Sequence, residues 1–175
     1  MKKYLIIAAS ILLMTASCKD DQEKDPVYNG EITLSSELIL EETYYGYGFS
    51  FEEEKFYSTL NPPVIIDIYL NVDGQFATKE SLPGTAYGFY LNNTFISQPE
   101  ALAFYNNYLE VNMPSHVLLT DTIQANQVYT FRTTRGNYVK ILIKDFRTVT
   151  KTTGSYYEAD LKYYIQRNGS DIFNE

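Results

Sequence analysis

"VYTFRTTRGNYVKILIKDF", residues 128–146, is two apolar runs broken by Arg135-Gly136-Asn137. A glycine between β-branched and aromatic runs signals a hairpin, because the reversal needs a positive φ that glycine adopts without strain. The expected strands are residues 127–133 and 138–146. In the second, Val139, Ile141 and Ile143 point one way, and Tyr138, Lys140, Leu142 and Lys144 the other. Residues 155–166 repeat the pattern. Tyr157, Ala159, Leu161, Tyr163 and Ile165 share a face opposite Tyr156, Glu158, Asp160, Lys162, Tyr164 and Gln166. A period of two sustained this long means strands with one dry face. Asn168-Gly169-Ser170 is a further turn, and Asp171-Ile172-Phe173 a short edge.

The same period runs through residues 64–72. Val64, Ile66, Ile68, Leu70 and Val72 alternate with Ile65, Asp67, Tyr69 and Asn71, between Pro62-Pro63 and the turn pair Asp73-Gly74. Residues 31–40, 44–51 and 84–91 also read as strands. Gly46 and Gly48, set between aromatics, point to a bulge or a close backbone approach. One stretch changes period. Ser97-Gln98-Pro99-Glu100 has capping-box spacing with proline in the first turn, and Ala101, Leu102, Tyr105, Tyr108 and Leu109 follow at helical spacing until Asn112 and Pro114. Many short strands and one short α-helix predict a mainly β fold, an antiparallel sandwich or barrel-like domain ending in a strand meander.

The amino terminus has a different logic. Met1-Lys2-Lys3 precedes an apolar run, residues 4–14, then Thr15-Ala16-Ser17 and the chain's one cysteine, Cys18. A positive start, a short apolar core and a small-residue exit make a signal peptide, and the run is shorter than the ~20 residues of a membrane span. Cysteine straight after Thr-Ala-Ser resembles a bacterial lipobox, which implies acylation of Cys18. Thr15 stands where many lipoboxes carry Leu. The following Lys19-Asp20-Asp21-Gln22-Glu23-Lys24-Asp25 is a solvated tether without aromatic or β-branched residues. It also resembles the export signal that sends Bacteroidota lipoproteins to the outer leaflet of the outer membrane. The expected organisation is a signal peptide over 1–17, an acylated cysteine and tether over 18–29, and one β-rich domain over 30–175.

Composition removes several classes. With 14 basic and 22 acidic residues the net charge is −8, and loss of Lys2 and Lys3 with the signal makes it more acidic still. Nucleic-acid binding rewards the opposite balance. An acylated Cys18 leaves no thiol for a disulfide or a cysteine metal site. The chain has 17 Tyr and 10 Phe but no Trp, which suits half-buried strands.

The meander carries a family resemblance. Tyr129, Arg132, Thr133, Gly136, Tyr138 and Lys140, followed by Tyr163, Gln166, Asn168, Gly169 and Ser170, resemble the C-terminal signature of HmuY-type surface lipoproteins. "IIDIYL", residues 65–70, resembles that family's central strand, with Ile66 where Trp is usual and Asp67 kept. The resemblance implies an all-β lipoprotein of the outer membrane, exposed at the cell surface. It implies haem as the ligand and a TonB-dependent receptor as a partner. The residues themselves read as fold residues: Arg132 and Lys140 facing solvent on the hairpin, Gly136 serving its turn.

Haem needs axial ligands such as His, Met or Tyr. The chain has one histidine, His116, with Met113 three residues earlier and Pro114 between them. This excludes a paired-His site within the chain and leaves Met113 and His116 as candidate ligands. The alternative is a loop histidine and a methionine that plugs the core behind the helix. Tyr44, Tyr45 and Tyr47 are candidate aromatic contacts for a glycan or peptide. Thr122, in Asp121-Thr122-Ile123, resembles a Bacteroidota O-glycosylation acceptor. No G-x-S-x-G, H-E-x-x-H, P-loop or EF-hand sequence occurs. Glu52-Glu53-Glu54 reads as a charged turn. The expected role is non-enzymatic: a surface lipoprotein that binds a small ligand, a glycan- or peptide-binding module, or a structural lipoprotein without a small ligand.

Overall fold

The computed structural model describes residues 28–39, 45–78 and 87–173. The expected signal peptide, Cys18, the charged run and Tyr44 lie outside these residues. Ten strands form two antiparallel five-stranded sheets. The first strand is β1 (Tyr28–Ser35), so the sheet begins two residues before the expected end of the tether. Then come β2 (Tyr47–Ser50), β3 (Lys55–Ser58), β4 (Ile68–Leu70) and β5 (Gln75–Ala77). β6 (Gly88–Thr94), α1 (Gln98–Asn107), β7 (Leu119–Thr122), β8 (Gln127–Arg132), β9 (Tyr138–Lys151) and β10 (Gly154–Gln166) complete the set among the described residues. One sheet has the order β1-β10-β9-β8-β6 and the other β3-β2-β4-β5-β7. The arrangement is a sandwich, with no closed barrel.

The faces predicted for the meander hold. Val139, Ile141 and Ile143 of β9, and Ala159, Leu161, Tyr163 and Ile165 of β10, lie in the core between the sheets. At Asp160/Leu161 the register shifts, so Asp160 faces Asp145 while Leu161 faces Ile143. The extra residue, Lys144, is a bulge that switches the inward parity of β9. Phe146 therefore joins the core edge, stacked on Tyr157 at 5.2 Å. The hairpin turn closes with Gly136 at φ +88°.

Several expectations change. The strand expected over 64–72 is only Ile68–Leu70, and Val72 is 57 % exposed. Asn71 ends the alternation, because its side-chain oxygen accepts the N–H groups of Asp73 (3.0 Å) and Gln75 (2.9 Å). This Asx turn puts Val72 at a hairpin tip. Asp67 is also not on a wet face; it is 3 % exposed. Residues 51–54 fold over it, so its carboxylate accepts the Phe51 N–H at 2.8 Å and the Ser50 hydroxyl at 3.4 Å. Lys140 is 1 % exposed rather than solvent-facing. Alternation does put it on the outer face of β9, but α1 lies on that face. Its ammonium donates to the Tyr105 and Tyr108 carbonyls at the helix end, at 3.2 and 3.3 Å. It also sits within 5.4 Å of the Tyr105, Tyr164 and Phe173 ring centres. A cation at a helix C-terminus and over aromatic faces is favourable on both counts.

The helix itself is shorter than expected, ending at Asn107, and the Ser97 side chain makes no capping bond. Ala101 and Tyr105, one turn apart, are the buried pair, while Leu102 and Leu109 are exposed. The C-terminal edge forms as an isolated bridge, Ile172 to Glu110, which seats Phe173 under the helix.

One end of the sandwich is stapled across the sheets. The Glu52 carboxylate accepts the Thr133 hydroxyl (2.8 Å) and the Asn137 amide (3.0 Å) from the β8–β9 turn. Arg167 donates to the carbonyls of Phe51 (3.1 Å) and Glu52 (3.0 Å). Asp67 lies beneath this staple. Burial, opposed by the Phe51 N–H and assisted by the nearby Glu52 charge, pushes its carboxyl from 3.8 to about 7. The fold therefore prefers the protonated form. Its contribution is complete below the unfolded value and is lost as pH rises from near 4 to near 7. About 4 kcal/mol is the upper bound at ~1.4 kcal/mol per pH unit. Asp160, held low chiefly by Arg147, acts in the opposite direction and only below that window. In urea unfolding between pH 4.5 and 8, wild-type stability should fall with rising pH, and Asp67→Asn should flatten that slope. A slope unchanged in Asp67→Asn would remove Asp67 as its source.

Candidate functional site

The two sheets diverge along one flank. β6 belongs to the first sheet and pairs with β8, while β7 pairs with β5 in the second. Among the described residues one bridge joins the approach to β7 with β6: Phe89 and Val117 exchange N–H···O bonds of 2.8 and 2.9 Å. Gly88, at φ +132°, permits that approach, since a Cβ there would lie 2.5 Å from the Val117 carbonyl oxygen. Beyond the bridge the gap stays open as a cleft of about 390 Å³. Its volume falls in the range of small-molecule sites, about 300–1,000 Å³.

The cleft has an apolar part formed by Phe89, Leu91, Val117 and Tyr129. Its polar part is Thr120, Asp121, Thr122, Gln124 and Gln127, with Ser115 at the lip. The inner polar groups are fixed by the fold. The Gln127 side-chain oxygen accepts the Gln124 N–H (2.8 Å) and the Tyr129 hydroxyl (3.1 Å). The Thr120 hydroxyl accepts the Phe76 N–H and donates to the Asp121 carbonyl. Burial, and then the charge of Asp121, pushes the Tyr129 phenol up to about 12. Tyr129 is thus a neutral donor at any physiological pH. The Asp121 carboxylate has no ion pair or hydrogen-bond partner among the described residues.

A second, smaller cleft of about 190 Å³ opens beside β2 and the β4–β5 turn. It is lined by Leu38, Tyr47, Tyr69, Leu70 and Val72, with Ser36, Thr59 and Asn71 among its polar residues. Tyr47 is 51 % exposed at its rim. The polar side chains here serve the fold: Ser36 accepts the Tyr157 N–H (2.8 Å), Thr59 the Gly46 N–H (3.1 Å), and Asn71 holds its turn.

The candidate residues distribute as follows. His116 is exposed, its ring edge beside Gly88, and it lines neither cleft, although its neighbours Ser115 and Val117 line the larger one. Met113 is half-buried and lines neither. Tyr47 lines the smaller cleft, and Tyr45 is half-buried with its carbonyl accepting the Ile39 N–H. Thr122 is exposed in β7, its hydroxyl donating to the Asp73 carbonyl at 3.2 Å. Sequence reasoning missed Phe89, Leu91, Gln127 and Tyr129 as a group. They come together only because β6 and β8 pair across a long chain interval. Among the described residues no group of three His, Cys, Asp or Glu is placed to hold a metal ion.

In comparisons with known proteins, the chain matches no family model and no curated protein.

Proposed function

We propose that this chain is a lipid-anchored cell-surface protein of the outer membrane that binds a small ligand and catalyses no reaction. Its ligand seat is the flank cleft between β6, β8 and β7. The observation that carries this reading is a cleft of about 390 Å³ with aromatic and aliphatic walls and a few fixed polar groups. Such a combination is what small-molecule sites share. The reading adds an anchor at Cys18, with the charged run as tether and export signal.

Benzyl alcohol is a suitable neutral probe for the cleft. In a two-dimensional amide NMR titration of residues 19–175, the shifts should centre on Phe89, Leu91, Val117 and Tyr129, and Ser115→Trp at the lip should suppress them. Shifts confined to other surfaces would refute the seat. For the anchor, Cys18→Ser should release the protein from the membrane fraction, and protease added to intact cells should degrade the wild type. Persistent membrane attachment of Cys18→Ser, or full protease protection of the wild type, would contradict it.

Haem is a second reading, favoured by the exposure of His116 between two cleft-lining residues. If haem binds here, the exposed His116 imidazole would be the residue that holds its iron. Micromolar hemin should then give a Soret shift that His116→Ala removes and Met113→Ala weakens. No shift, oxidised or reduced, eliminates haem and leaves the first reading in place.

A further inference from the structure

The flank cleft is electrostatically one-sided. Asp121 is its only charged lining residue among those described, and no Lys, Arg or His lines it. Elsewhere the carboxylates of the sheet surface are engaged by neighbours. Glu31 meets Lys144 at 2.8 Å, Glu37 meets Lys151 at 2.7 Å, and Arg147 gathers Asp145, Glu158 and Asp160. The Asp121 carboxylate, by contrast, has no such partner among the described residues and stands beside an apolar wall.

Three of the lining hydroxyls reinforce the sign. The Tyr129 hydroxyl spends its proton on Gln127 rather than offering it to the cleft. The Thr120 hydroxyl spends its proton on a backbone carbonyl, and so does that of Thr122. Three of the donors that could have greeted an anion are therefore turned away, while oxygen lone pairs remain. An anionic ligand would meet Asp121 without a counter-charge. A cation would gain the carboxylate, and the exposed Leu91 and Val117 side chains would supply apolar contact above the Phe89 and Tyr129 floor.

We propose that the flank cleft selects a small organic cation: an ammonium or guanidinium group set on Asp121, with its apolar body against Phe89, Leu91, Val117 and Tyr129. The proposal rests on the reading of this cleft as the ligand seat. It makes Asp121 the residue that chooses ligand charge, and the aromatic floor the part that holds any ring-sized body. A carboxylate-bearing ligand, haem included, would be disfavoured in the cleft itself.

Three probes of the same shape separate the two claims: benzylammonium, benzyl alcohol and benzoate, each titrated into residues 19–175 by amide NMR at low and at 0.3 M salt. The expected order is benzylammonium tightest and benzoate weakest. Asp121→Asn should weaken benzylammonium roughly three- to tenfold, the range of a partly exposed charge pair, and leave benzyl alcohol unchanged. Added salt should weaken benzylammonium alone. If benzyl alcohol and benzylammonium bind the cleft equally, or Asp121→Asn changes neither, charge selection is overturned while the seat stands. If none of the three shifts the cleft amides at millimolar concentration, both claims fall. An unchanged amide spectrum away from position 121 shows that the variant is folded.

Discussion

A chain of aromatic rings holds this sandwich together, and the other features are arranged around where it begins, crosses and ends. Without tryptophan, the core depends on phenylalanine. Phe56 packs on Phe49 (5.0 Å), Phe49 on Phe51 (5.4 Å), and Phe51 on Phe131 (5.8 Å), crossing from the second sheet to the first. Phe131 then packs on Phe89 (4.7 Å) and Phe89 on Phe76 (5.8 Å), crossing back, before Phe76 meets Tyr129 (5.8 Å). Sheets packed about 10 Å apart need such side chains to fill the gap. Each ring adds large buried area and a directional contact worth roughly 1 kcal/mol beyond it. The flank cleft lies where this chain runs out. Phe89 and Tyr129 are at once the last rings of the core and the floor of the cleft, so the floor is rigid because the core is.

The first crossing explains the buried carboxyl. Phe51 must enter the core, and the chain must then turn within four residues to start β3. That turn leaves the Phe51 N–H facing inward, and Asp67 supplies its acceptor. A buried amide without an acceptor costs on the order of 1–3 kcal/mol. A buried carboxyl that can take up a proton satisfies the amide without the full cost of a buried charge. The outer end of the same turn is fastened by Glu52 to Thr133 and Asn137. The exposed pair Arg135–Glu53, at 3.4 Å, contributes little beside it.

Much of the fold was legible because alternation in a strand reports which side chains share a face. It identifies Val139, Ile141 and Ile143, and the inward set of β10, from the sequence alone. Alternation does not report what covers the opposite face. Alternation puts Lys140 and Asp67 opposite the core-facing residues of their strands, yet a helix covers one and a turn the other. Val72 failed differently: a local side-chain bond from Asn71 outcompeted the strand. The cleft was illegible in principle. Its walls come from β6, β8 and the approach to β7, and no local pattern states that β6 will pair with β8. Asp121 drew notice only as the neighbour of Thr122.

The residues that resemble HmuY-type lipoproteins lie, Tyr129 apart, away from the cleft. Thr133 and Gly136 shape the β8–β9 turn, Lys140 seats the helix end, and Gly169 bonds Asn137 (3.2 Å) behind the staple. Gln166 and Ser170 both bond the Asn168 side chain at 2.8 Å. Tyr129 alone belongs to both sets, and it does so as a core ring. The pattern is therefore a requirement of the stapled end and of the helix-covered face. The proposed ligand seat is lined instead by Leu91, Val117 and Asp121, none of which belongs to the ring chain, the staple or the lysine site under the helix.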